Sequence, residues 1–108
     1  TLGLIYFFLY SIVTTSPVEF VIVLTNCDAN QEVTKKLIST KLNQIKETLA
    51  EKIENIPNVT LSCGVELSAT GYSDRLYEHA DAALYEVKRA GRNDFRFYSD
   101  DLDSILEG

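Results

Sequence analysis

Two cationic side chains near the end of a helical pattern are the strongest candidates in this sequence for a functional site. Lys88 and Arg92 are four residues apart, a spacing that puts two side chains on one face of a helix. The simplest role for cations at that place is to offset the negative end of the helix macrodipole. The alternative is that they bind an anionic ligand such as a nucleotide, because local cations can act within a chain of net charge −6.

The other reactive residue types point to no metal centre. Cys27 and Cys63 lie far apart, each in or beside an apolar run, and His79 is the only histidine. Zinc sites need Cys or His ligands at short, characteristic spacings, which these three residues lack. We expect both cysteines to be reduced and buried, which favours a reducing, cytoplasmic location.

The composition is that of one globular domain with no general affinity for polyanions. The chain has 108 residues, of which 45% are hydrophobic and 24% charged, so we predict a single domain spanning 1–108. The net charge argues against nucleic acid and anionic membranes as partners. The apolar segment 2–13 is shorter than the ~20 residues that a membrane helix needs. Because no methionine occurs and Thr1 comes first, we expect a fragment of a longer, multidomain protein.

The hydrophobic pattern predicts an α+β fold in which helices pack on a mostly antiparallel sheet. The predicted elements are the strand Leu2–Tyr10, a hairpin of Ser11–Thr15 with Glu19–Thr25, a helix from Ala29 to Ile56 before Pro57, the strand Val59–Leu67, a helix from Ser73 to Gly91, the strand Phe95–Tyr98 and a helical turn over Asp101–Leu106. The first helix is expected to bury Val33, Leu37, Leu42, Ile45, Leu49 and Ile53. The second is expected to bury Leu76, Ala80, Ala83, Leu84 and Val87. Gly64 inside a strand predicts a bulge or a close backbone approach.

Three segments of the chain carry a family resemblance, in a consistent order and spacing. They are Ser16–Leu24, a turn followed by its strand; Val59–Val65, of the form V-T-x-S-x-G-[IV]; and Ala80–Asn93, close to A-D-x-A-L-Y-x-A-K-x-x-G-R-N. Together they resemble the signature segments of GGDEF domains, the diguanylate cyclase family, over residues 11–98. The resemblance implies a GGDEF/adenylyl-cyclase-palm fold, which is a ferredoxin-like sheet with helices packed on it.

The resemblance also implies a site for GTP. By this resemblance Lys88 and Arg92 hold the triphosphate, and Glu19 is a metal ligand. The family joins GTP molecules by two-metal chemistry, in which a 3′-hydroxyl attacks an α-phosphate and carboxylates hold the divalent ions. Mg²⁺ is therefore expected only where GTP binding is retained.

The same comparison indicates a degenerate catalytic site. The signature turn reads Ser16-Pro17-Val18-Glu19-Phe20, so both glycines and the first carboxylate are missing. Phe8 or Tyr10 stands where the first strand of the family carries a metal-binding aspartate. Since one carboxylate cannot organise two divalent ions, we predict no diguanylate cyclase activity.

A large segment of the family pattern is also missing. The family places two helices between its first strand and the hairpin, and these helices carry the residues that recognise guanine. In this chain Tyr10 leads almost directly into Ser11–Thr15. We therefore expect weak GTP binding and a sheet face without its usual cover, which exposes part of Leu2–Tyr10. A neighbouring signalling domain or a homodimer partner could bury that surface.

Three hypotheses for the function follow. The first is a catalytically inactive GGDEF-like regulatory or interaction module in cyclic-di-GMP signalling, with weak GTP binding. The second is a purely structural or dimerisation domain without a nucleotide ligand. The third is a diguanylate cyclase whose missing segment is absent only from this sequence.

Overall fold

The chain folds as a four-stranded sheet with two helices, within the residues that the computed structural model describes, 1–10, 17–52 and 60–98. The elements in chain order are β1 (Leu2–Tyr10), β2 (Val18–Leu24), α1 (Gln31–Lys52), β3 (Thr60–Ser68), α2 (Asp74–Arg89) and β4 (Phe95–Phe97). This is the predicted α+β arrangement. The predicted strand Ser11–Thr15, the segment Ile53–Pro57 and the turn Asp101–Leu106 lie outside the described residues.

The sheet is mixed, with β1 in its interior. Its strand order is β2-β1-β3-β4, in which β1 runs antiparallel to β2 and β3, and β3 runs parallel to β4. β2 pairs with β1, from Gly3 opposite Leu24 to Leu9 opposite Val18, a pairing that the sequence-based prediction did not include. The apolar run of β1 is long enough to pair along the whole of β2.

The two helices pack on opposite faces of this sheet. On one face, Ile5 and Phe7 of β1 form a buried cluster with Ile38 and Leu42 of α1. On the other face, Leu4 packs against Leu76 and Ala80 of α2. Successive side chains of a strand point to opposite faces, so a continuous apolar run is what a doubly covered strand requires.

Gly64 of β3 allows α2 to lie close to the sheet. A Cβ built at this position would stand 2.0 Å from the carbonyl oxygen of Ala80 and 2.4 Å from the backbone nitrogen of Leu84. No side chain fits in that space. The predicted close backbone approach is confirmed, and it fixes how α2 sits over β1 and β3.

The buried face of α1 agrees with the predicted one at Leu42 and partly at Leu49, but differs from it elsewhere. The helix buries Thr34, Ile38 and Leu42, whereas Leu37 is 59% exposed and Val33 and Ile45 are exposed as well. The physical reason is that α1 lies over the middle of the sheet and leaves β2 uncovered. The apolar stripe on the flank of the helix therefore borders open space instead of the core.

The uncovered part of the sheet is β2, not β1 as the sequence-based expectation had it. Most of β1 is buried, because strands lie on both of its sides and a helix lies on each of its faces. The side chains of the apolar residues from Val18 to Val23 are between 40% and 54% exposed. Between β2 and α1 runs an apolar cavity of about 240 Å³, called here the β2 groove, which is lined by Ile5, Phe7, Ile22, Leu24, Leu37, Ile38, Lys41, Leu42 and Ile45.

The helix α2 matches its prediction closely. Its buried residues are the five predicted ones, and the Ser73 side chain accepts a hydrogen bond from the backbone N–H of Leu76 as its N-cap. Gly91 follows the helix with φ +124°, in the region that favours glycine. Neither helix in the described part of the chain is long and apolar enough to cross a membrane.

Candidate functional site

The three site residues predicted from the sequence meet at one end of the sheet. Glu19 at the start of β2 lies directly opposite Phe8 of β1 in the register. The Lys88 side chain comes from the last turn of α2 and places its Nζ 3.6 Å from Glu19 Oε1. The same nitrogen lies 3.8 Å from the centroid of the Phe8 ring, within the range of a cation–π interaction.

Arg92 reaches the same ring by a route that the sequence did not indicate. The helix ends at Arg89, so Lys88 and Arg92 do not share a helical face as the spacing had suggested. Arg92 instead has φ +67°, and its backbone N–H donates to the carbonyl of Val87. This tight turn brings its guanidinium carbon to 5.2 Å from the centroid of Phe8 and 5.6 Å from that of Tyr10.

An aromatic row on β1 forms the floor of the site. Tyr6, Phe8 and Tyr10 alternate along the strand and therefore share the face towards α2. The rings of Phe8 and Tyr10 are parallel, with centroids 6.4 Å apart. From the sequence, Phe8 and Tyr10 were considered only as residues that replace a metal-binding aspartate, and Tyr6 was not singled out. The period-two spacing of three aromatic residues was the signal that could have identified this floor.

Tyr6 engages the second oxygen of the Glu19 carboxylate. Its hydroxyl donates a hydrogen bond of 2.9 Å to Glu19 Oε2, and its ring lies 5.3 Å from that of Tyr77. A hydrogen bond with Tyr77, followed by burial and the contact with Glu19, raises the pKa of Tyr6 well above its ordinary value. Tyr6 therefore stays protonated as a donor, and both carboxylate oxygens of Glu19 have partners within the protein.

These contacts fit a divalent ion poorly. Magnesium is bound through carboxylate and phosphate oxygens in near-octahedral geometry. Here the carboxylate of Glu19 is paired with the ammonium group of Lys88, and the residue opposite Glu19 on β1 is Phe8, whose phenyl ring cannot bind a metal ion. Among the described residues, no three Asp, Glu, His or Cys side chains are grouped so as to hold a metal ion. Glu19 as a metal ligand stays a prediction without geometric support.

The cysteines and the histidine have packing roles in the described structure. Both cysteines are free; Cys63 is buried and Cys27 is half-buried. Burial raises the pKa of the Cys63 thiol to about 12. His79 contacts Glu66, with 3.1 Å from Nδ1 to Oε2, and its ring stacks on Tyr98.

The comparison with protein families agrees with the resemblance seen in the sequence. Residues 16–94, more than half of the chain, match the model of the family described as diguanylate cyclase, GGDEF domain. The mixed sheet with two helices is consistent with a shortened form of that palm fold. The match includes Glu19, Lys88 and Arg92 but not β1, so the assignment of Phe8 to the site rests on its pairing with Glu19. No curated protein matches the chain.

Proposed function

The chain belongs to the GGDEF domain family, and we propose that it acts in cyclic-di-GMP signalling as a catalytically inactive regulatory or interaction module. Weak binding of GTP through Lys88 and Arg92 and a cytoplasmic location are parts of the same proposal. The proposal is supported by the family membership and by the contacts of Glu19, the residue of the signature turn that resembles a catalytic metal ligand.

The observation that carries the proposal is the set of partners around Glu19. Two-metal catalysis needs anionic ligands that are free to take up the ions. The Glu19 carboxylate is instead paired with Lys88 and accepts a hydrogen bond from Tyr6, and an aromatic ring occupies the opposite position on β1. Because Lys88 and Tyr6 already contact both oxygens of this carboxylate, we expect no site for the ions that activate the attacking hydroxyl.

The proposal predicts that the chain makes no cyclic-di-GMP. Incubation with GTP and either Mg²⁺ or Mn²⁺, followed by chromatography and mass spectrometry, is expected to give no product above a protein-free blank. An active GGDEF domain in the same buffer serves as the positive control. Product formed by this chain, and lost in Glu19→Gln, would contradict the proposal and favour an active cyclase.

Binding of GTP is supported by the two cations that the fold gathers at the site. Lys88 and Arg92 both lie over Phe8, while Glu19 is the only carboxylate that the described contacts bring to this ring. The two cations exceed the single charge of Glu19 at this ring, but Glu78, Asp81 and Glu86 line a surface pocket together with Lys88 and oppose an anionic ligand from that side. The attraction of Glu19 for Lys88 competes with a phosphate for the same ammonium group, so the affinity is expected to be low.

Because Glu19 competes with phosphate for Lys88, removing the carboxylate and removing the cations should have opposite effects on GTP affinity. In calorimetric titrations with a non-hydrolysable GTP analogue and Mg²⁺, Glu19→Gln is expected to bind about two- to fivefold more tightly, because it removes a negative charge beside the phosphates. The double change Lys88→Ala with Arg92→Ala is expected to abolish binding.

Arg89 supplies the matched control for these variants. Its side chain pairs with Glu86 at 3.9 Å on the outer surface of α2, so Arg89→Ala removes a nearby cation without touching the site. Its GTP affinity is expected to stay at the level of the unaltered chain. Equal losses in Arg89→Ala and in the double variant would show a non-specific charge effect and refute the assigned phosphate contacts.

A purely structural or dimerisation role is the second candidate function. The observation that favours it is the exposed apolar surface of β2, which is unusual for a monomeric soluble domain. Absence of any heat with the GTP analogue at millimolar concentration would favour this role over nucleotide sensing.

A further inference from the structure

The outer edge of β2 has the features of a pairing surface. The strand is last in the sheet order, and no described residue pairs with its outer side. Such an edge leaves a row of backbone donors and acceptors open to another strand. Six of its seven residues are apolar, and Val18, Phe20, Val21, Ile22 and Val23 are at least 40% exposed. A soluble protein usually protects such an edge with charges, proline or a covering element, and here Glu19 is the only charge on the strand.

We propose that this edge pairs with β2 of a second copy of the chain, antiparallel and centred on Val21, which joins the two sheets into one. In this register Val21 lies opposite its own copy, Phe20 lies opposite Ile22, and Glu19 lies opposite Val23. Val18 then meets Leu24, so all seven residues of both strands are paired.

The faces of the strand agree with this register. Phe20 and Ile22 lie opposite Phe7 and Ile5 of β1, on the face that carries α1. Val21 lies opposite Tyr6 on the face of α2. Residues that the register sets opposite each other thus share a face in the joined sheet, as an antiparallel ladder requires. Phe20 of the second copy then stands beside Ile22 at the mouth of the β2 groove.

The charges also agree with a second copy as the occupant. The chain as a whole is acidic, with a net charge of −6, so association of two copies needs a contact that keeps carboxylates apart. The register places the two Glu19 residues four positions apart, which is roughly 14 Å along the strand. That separation exceeds the Debye length of about 10 Å at 0.1 M salt. Each Glu19 is also paired with Lys88 of its own copy.

The first test is the oligomeric state of the whole chain in sedimentation equilibrium over a range of concentrations. A monomer–dimer equilibrium is expected, and Val21→Lys should weaken it by at least about tenfold, because it sets two like charges directly opposite each other. Tyr85→Lys adds the same charge at an exposed position on α2 and is expected to leave the equilibrium unchanged. A chain that stays monomeric at several hundred micromolar, or a dimer that Val21→Lys does not weaken, would overturn the inference.

A disulfide test reads the register directly and does not depend on the lysine variant folding. On a Cys27→Ser background, Val21→Cys is expected to cross-link within the dimer under mild oxidation, since the register brings the two side chains face to face. Val23→Cys lies on the same face with similar exposure, but its copy would be roughly 14 Å away along the strand. A disulfide needs Cβ atoms about 4 Å apart, so this control should stay uncross-linked. Equal cross-linking of the two variants would refute the register.

The inference is independent of the nucleotide proposal. Val21 lies on β2 outside the cluster of Lys88, Arg92 and Phe8. A monomeric chain that still binds the GTP analogue would overturn the pairing of β2 alone. A dimer that binds no nucleotide would overturn only the GTP part of the proposed function.

Discussion

Replacing Gly64 with alanine is expected to destabilise the fold by about 3 kcal/mol or more, which for a domain of this size corresponds to a loss of at least ~10 °C in melting temperature. The added methyl group would meet the Ala80 carbonyl oxygen at 2.0 Å and the Leu84 nitrogen at 2.4 Å. Both are backbone atoms of α2, so no side chain can rotate away to make room. The helix would have to move off the sheet and separate Leu76, Ala80 and Leu84 from their buried contacts. Thermal and urea denaturation followed by circular dichroism measures the effect.

Gly3 provides the matched control for this substitution. It is also a strand glycine, but a Cβ built there would meet the end of the Leu67 side chain at 3.2 Å, and its next neighbours lie at 3.7 and 3.8 Å. Because Leu67 Cδ2 can shift by a few tenths of an ångström, Gly3→Ala is expected to change stability by less than about 1 kcal/mol. A Gly64→Ala variant as stable as Gly3→Ala would contradict the close contact between α2 and β3.

Alkaline pH is expected to destabilise the fold through the thiol of Cys63. The buried thiol has a pKa raised from 9.0 to about 12, while an unfolded chain releases this proton at its ordinary pKa. Between these two values the unfolded state binds fewer protons than the native state, so the free energy of unfolding falls as the pH rises. The contribution is fully present below about pH 9 and decreases by on the order of 1.4 kcal/mol per pH unit up to about pH 12.

The Cys63→Ala variant isolates this contribution from the other groups that titrate at high pH. It is expected to lower stability slightly at neutral pH, since it removes a buried sulfur atom, but to show a shallower decline above pH 9. Urea denaturation at a series of pH values gives both quantities. Parallel declines in the variant and in the unaltered chain would mean that Cys63 does not control the alkaline limit.

The parts of the fold that local patterns determine could be predicted from the sequence. The boundaries of β1 agree with the structure, and every buried residue of α2 was identified, because a single stripe at helical spacing packs on one surface. The face of α1 could not be predicted in the same way. That helix carries two apolar stripes, and only the tertiary arrangement decides that Ile38 meets the sheet while Leu37 borders the β2 groove.

The candidate site was predictable in its residues but not in its geometry. The resemblance pointed to Glu19, Lys88 and Arg92, and the structure brings all three beside Phe8. The spacing of the two cations suggested one helical face, whereas a left-handed turn after the helix positions Arg92. Sequence alone also gave no means of seeing that Glu19 and Lys88 would engage each other, because they come from elements 69 positions apart in the chain.

The interior position of β1 has a consequence for how the protein is made. Its residues pair with β2 only nine to 21 positions away, but with β3 at distances of 50 to 66 positions. At translation rates of about 5–20 residues per second, roughly 3–13 s pass between the synthesis of β1 and that of its second neighbour. During that interval β1, which includes Phe7 and Phe8, can pair with β2 but has no β3 on its other side. The nascent chain should therefore be a substrate for chaperones that hold apolar strands, and its soluble yield should depend on them more than the stability of the finished domain suggests.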